Sequence, residues 1–162
     1  MLGRVEPEQL KSDLILPWVI QGIMLAMLMA YVVVCITFGD QIQQPLPEAQ
    51  RVLIRTILYV VAIATFPLTN LIRHIQLRLN QTMPFSQVAP RIEAKKRYLV
   101  TIIVSMSLIK SVGIFGFVMF ILGDNFNTLY IFSGLSALGL FLYRPKVDEY
   151  AKIVEALTTE KT

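Results

Sequence analysis

Apolar positions fall into four long runs, over residues 14–38, 52–72, 98–122 and 126–143, separated by polar stretches. A bilayer core about 30 Å thick needs about 20 apolar residues in helical form. None of the four alternates apolar and polar positions as the strand of a membrane barrel does. The pattern predicts an all-α polytopic membrane protein: four transmembrane helices arranged as two hairpins, forming a single domain over 1–162. Pro84 and Pro90 interrupt the middle loop, 73–97, whose first part is expected to prolong the second helix. The run from Glu93 to Arg97 is expected to start the third.

The tail, 144–162, has a different period. Val147, Tyr150, Ala151, Val154 and Leu157 share one face at helical spacing after Pro145. This predicts a short cytoplasmic amphipathic helix with Val147, Val154 and Leu157 on its shielded side. Such a helix lies on the membrane, packs under the bundle, or docks on a partner.

Charge sets an orientation. Twelve of the fifteen Lys and Arg residues lie in the N-terminal tail, the middle loop and the C-terminal tail. Basic loops stay cytoplasmic, so both termini and the middle loop are expected there, with a bacterial inner membrane as the expected setting. Glu6, Glu8 and Asp13 precede the first run, so that span is expected to stay in the mature protein. Composition agrees: 55% of residues are hydrophobic and only 16% charged, against about 25% charged in soluble domains. The net charge of +4 then reflects topology, and no nucleic-acid partner is expected. Arg91, Lys95, Lys96 and Arg97 are basic enough to attract anionic lipid.

Lys110 stands out, at the middle of the third run with twelve residues on either side to Tyr98 and Leu122. At 1.5 Å per residue it lies about 18 Å from either end, where a lysine costs roughly 2.5–3.5 kcal/mol to insert. No acid falls within any run. Three arrangements answer the cost. The amine stays neutral; it donates to protein oxygens; or it meets a carboxylate on another chain. The second has named candidates. Pro67 has no amide proton and kinks its helix, freeing the Ile63 carbonyl, and Ser107 adds a hydroxyl one turn before Lys110. Gln21 and Asn70 are further intramembrane polar groups suited to helix pairing.

Small residues mark helix packing: Gly22, Ala26 and Ala30 on the first helix, Gly113 and Gly116 on the third, Ser133 and Ala137 on the fourth. Gly-Asp closes the first and third runs, at Gly39-Asp40 and Gly123-Asp124. This reads as C-cap chemistry or as the trace of a duplicated hairpin. One cysteine, Cys35, and one histidine, His74, leave most nucleophilic and metal-dependent mechanisms without residues. No catalytic set, metal site or cofactor site is expected, and the chain is not expected to be an enzyme.

The stretch from Ser107 to Gly123, with Ile-Lys-Ser-Val-Gly-Ile-Phe-Gly at its heart, resembles the ion-carrying helix of the rotary ATPase proteolipids, the subunit c family. The likeness covers one helix of four and implies a helical hairpin. The family's ion-binding carboxylate falls where this chain has Lys110, which argues against rotary ion transport. The expected function is therefore a small non-catalytic structural or accessory subunit of a larger membrane complex. Its partners would be the bilayer and other membrane subunits or further copies of itself. The alternative is a small oligomeric transporter or channel using Lys110 in a polar intramembrane site.

Overall fold

The computed structural model describes residues 6–84 and 89–160; the basic residues Arg4 and Lys161 and the loop stretch 85–88 lie outside them. The described residues form six helices in order: α1 (Pro7–Asp13), α2 (Ile15–Ile42), α3 (Glu48–Thr82), α4 (Pro90–Ile121), α5 (Phe126–Leu142) and α6 (Val147–Glu160). Among the described residues there is no strand. Among the described residues, three helical stretches are long and apolar enough to cross a membrane, α1 with α2, α3 and α4, and a fourth if α5 and α6, bent 44° from each other, count as one broken span.

The helices outrun their apolar cores at the polar ends, as expected of the middle loop. α3 continues through Pro67 to Thr82, and α4 opens with Pro90 in its first turn. Proline there needs no amide partner. Pro7 does the same for α1, a short helix that the polar N-terminal composition did not announce.

The two Gly-Asp dipeptides differ in structure. Gly39 and Asp40 lie inside α2, which runs on to Ile42. Gly123 sits in the turn after α4 with φ of +92°, the left-handed region that glycine alone enters freely. An added Cβ would stand 2.7 Å from the Cα of Pro45. Only the second dipeptide terminates a helix.

α4 is the hub. It packs on α5, α3, α2 and α6 and is buried at intervals from Ala94 to Phe120. Its glycines explain the close approach to α5. A Cβ on Gly116 would meet the Cβ of Phe132 at 2.7 Å, and one on Gly113 would meet Leu28 of α2 and Ser136 of α5. Ser136 Oγ donates to the Ile109 carbonyl at 3.0 Å. α4 and α5 thus form a tightly packed hairpin.

The first pair departs from the expected hairpin. α2 packs on α4 and α5, α3 packs on α4 and α6, and α2 and α3 do not pack on one another along their lengths. A five-residue connection joins their ends and is tied to the α4–α5 turn: the Gln44 amide donates to the Ile121 carbonyl and that of Leu46 to the Leu122 carbonyl. α4 therefore occupies the space a packed α2–α3 hairpin would close.

The tail helix packs under the bundle. Tyr150, Ile153, Val154 and Leu157 are buried in one cluster with Leu10, Leu14, Ala94, Tyr98 and Ile102. Its apolar face is thereby used within the chain, and Val147 is half-buried beside it.

Candidate functional site

Three ion pairs fasten the ends of the bundle, each joining elements distant in sequence. At the connection end, Arg55 meets the buried Asp124 at 3.2 Å; Arg51 donates to the Gly123 carbonyl and Gln43 to that of Asp124. At the tail end, Arg73 is 4% exposed. Its guanidinium takes both oxygens of Glu149 and the carbonyls of Tyr143 and Arg144. It holds the α5–α6 elbow shut.

The third pair docks α1. Arg91 donates to both oxygens of Asp13, at 2.7 and 2.9 Å, and the Tyr150 hydroxyl donates to Asp13 Oδ2 at 2.6 Å. Arg91 holds the Asp13 carboxyl below its ordinary value of 3.8 against the opposing pull of burial, with help from Tyr150. Burial, and then Asp13, push the Tyr150 phenol up, so it remains a donor. A carboxyl depressed in the folded state adds stability above its unfolded pKa and loses it as pH falls through the folded value. Docking of α1 should therefore be unchanged from neutral pH to about pH 4 and weaken below it. Asp13→Asn should cost about 1.5–3 kcal/mol at neutral pH and remove this acid-dependent component. Thermal unfolding followed across pH checks both.

Two of the four basic residues expected to attract anionic lipid at 91–97 are also engaged within the chain. Arg91 is engaged with Asp13 and Gln9, and Arg97 with Glu93 and the carbonyls of Asn80, Met83 and Pro84. Lys95 and Lys96 alone of the four are exposed.

Lys110 lies elsewhere, on the flank of α4 toward α2. Its Nζ is 3.0 Å from Met27 Sδ and 5.7 Å from the centre of the Tyr31 ring. Tyr31 in turn meets Phe117. A thioether is a weak acceptor, and the ring face attracts a cation without accepting a conventional hydrogen bond. The Ile63 carbonyl expected as acceptor is not the partner: Ile63 is 69% exposed on α3, on the other side of the hub. Ser107 is exposed, and its hydroxyl makes no hydrogen bond among the described residues. Among these residues the amine has no oxygen partner of any kind.

Val100, Ile103, Ile114 and Val118 are exposed with Ser107. Helical spacing puts them on one face of α4, opposite the Gly113–Gly116 face that grips α5. α2 bounds this strip on the Lys110 side and α3 on the other. Because α2 and α3 do not pack on one another, this apolar strip of α4 stays exposed between them, with one amine and one hydroxyl near its middle.

The remaining sequence candidates are dispersed. Gln21 donates to the Leu140 carbonyl within the α2–α5 contact, and its Oε1 is buried without a partner. Asn70 is exposed at the tail end of α3, far from Lys110 along the bundle. Gly113 and Gly116 pack as expected. Gly22, Ala26 and Ala30 do not: all three are exposed, and nothing lies within 4 Å of a Cβ placed on Gly22. α2 turns instead its heptad-spaced Gln21, Leu28 and Cys35 inward. On α5 the close contacts come from Phe132, Ser136 and Gly139; Ser133 is buried with its hydroxyl unpartnered, and Ala137 is half-buried.

Met27 and Tyr31 were missed as Lys110 neighbours because nothing in their own types marks them; only their i, i+4 spacing on the lysine-facing flank would have paired them. No protein-family model, no curated protein and no solved structure matches this chain.

Proposed function

We propose that the chain is a small non-catalytic subunit of a larger membrane complex, and that the α4 strip carrying Lys110 and Ser107 is its docking face. It crosses the membrane four times, with both termini and the middle loop in the cytoplasm of a bacterial inner-membrane protein. α5, with seventeen residues, is at the lower limit for a span and is the fourth. The occupant of the strip is a transmembrane helix of another subunit bearing a carboxylate at mid-depth. The single observation behind this is Lys110: an amine about 18 Å from either end of its apolar run, held by a thioether and a ring and half open to the outside. Asp13, Arg73 and Asp124, the buried charges at the ends of the bundle, each meet an opposite charge; among the described residues Lys110 does not. An acid on a neighbouring helix would complete the one that does not, where no water competes.

The proteolipid likeness covers α4 alone and implies a hairpin without the ion-binding carboxylate. The transport alternative needs a water route to Lys110. In one chain the strip is an outer face, so that route would have to form between copies. Native mass spectrometry after mild extraction from the source membrane separates these readings. Co-migration with one or more different membrane proteins at fixed stoichiometry is the expected result. A chain that travels alone, or only with copies of itself, would overturn the subunit reading.

A further inference from the structure

A second feature is independent of Lys110. At the tail end of the bundle a notch opens between α3 and the α5–α6 elbow, with Asn70 and His74 on one wall, Leu142 and Lys146 on the other, and the Arg73–Glu149 pair in its lining. Asn70 and His74 are one turn apart, so they share a face of α3.

The donors in this notch divide into spent and unspent. Arg73 gives its N–H groups to Glu149 and to two carbonyls, and both Glu149 oxygens are taken. The Tyr143 hydroxyl donates to the Phe66 carbonyl. Asn70 and His74, by contrast, make no side-chain hydrogen bond among the described residues, and Lys146 Nζ lies 3.8 Å from Glu149, beyond hydrogen-bond reach. Arg73 and Lys146 share the one acid, so the lining keeps a net charge of +1, and the ammonium, the amide and the imidazole hold N–H groups that no hydrogen bond takes.

The position of the notch selects the ligand. Arg73 and Tyr143 stand where the second and fourth apolar runs end, so the opening is level with the edge of the apolar zone. Phe141 and Leu142, 59% and 48% exposed, continue from it along α5. We infer that the notch binds the phosphate of an anionic phospholipid, with Lys146, Asn70 and His74 donating to phosphate oxygens and an acyl chain lying along Phe141 and Leu142. Charged donors give phosphate its strongest hydrogen bonds, and headgroup-level basic pockets are where such lipids are held.

The single histidine makes the test local. The full chain, labelled at histidine, is placed in phosphatidylcholine nanodiscs with a rising fraction of phosphatidylglycerol, and the imidazole resonances are followed at fixed pH. A saturable shift is expected. Lys146→Gln and Asn70→Ala, both at exposed positions, should each raise the half-saturating fraction, the first by about tenfold. A drift that never saturates and is identical in Lys146→Gln would mean only a general surface potential, and the site would be rejected. An equal saturable shift with inorganic phosphate in pure phosphatidylcholine would assign the notch to a soluble anion and overturn the lipid reading.

Discussion

Arg73→Met should loosen the whole tail end of the bundle. The guanidinium is 4% exposed and joins α3 to both ends of the α5–α6 elbow. Methionine keeps much of the length and none of the donors. The carbonyls of Tyr143 and Arg144 then lose their donor, and Glu149, its side chain 19% exposed, keeps only Lys146 at 3.8 Å. Breaking a buried pair from one side costs about 3–5 kcal/mol; the partial exposure of Glu149 places this case near the lower figure. The loss should appear as a lower unfolding temperature and as faster amide exchange across Val147–Glu160, with the apolar helices still inserted. Adding Glu149→Gln should recover part of the loss, because it removes the stranded charge. A variant with unchanged exchange in α6 would show that the buried apolar face alone holds that helix.

The other large effect belongs to Lys110→Met and should appear between chains rather than within one. Inside the chain the amine gives up a thioether contact and a ring contact. Intramembrane polar contacts average about 0.6 kcal/mol, so the isolated chain should insert and unfold almost as before. In the proposed complex the same change would strand the carboxylate of the docked helix. Truncating one partner of a desolvated charge pair costs about 2–5 kcal/mol, which weakens association at least about thirtyfold. Native mass spectrometry of the extracted variant should therefore show the chain free of its partner. Lys110→Arg keeps a charge and should retain part of the assembly. If Lys110→Met instead melts the isolated chain, the lysine serves internal packing and the docking face is wrongly placed.

The two variants also show what the sequence carried. Helix positions were legible because the first three apolar runs are as long as a span requires and prolines punctuate the segments after the first, second and fourth runs. The shielded face of α6 was legible because Tyr150, Val154 and Leu157 repeat at helical spacing. Arg73 was not: in a basic loop its charge reads as a topology signal, and Glu149 is 76 positions away. The same holds for Asp13 with Arg91, and for Arg55 with Asp124. Pairing across the bundle depends on how helices are arranged, and an apolar helix carries little rotational information. α2 shows this directly. It is apolar on all sides, so the Gly22–Ala26–Ala30 stripe looked like a packing face, while the structure turns Gln21, Leu28 and Cys35 inward. Lys110 was visible as an anomaly in sequence; its neighbours followed only from the separation of α2 and α3.

That separation and the open strip between the two helices carry the central claim, and accessibility at Ser107 tests it most directly. Cys35 is fully buried, so a cysteine placed at 107 is the site a spin label reaches. Oxygen collisions report lipid contact and a water-soluble nickel chelate reports aqueous contact, with a label at Ile63, 69% exposed on α3, as the reference for a free outer face. In nanodiscs holding the purified chain, both labels should see oxygen alike. In the source membrane, the label at 107 should become shielded from oxygen and nickel together while the one at 63 stays open to oxygen. Equal oxygen access at both sites in the source membrane, or nickel access at 107, would contradict a docked helix.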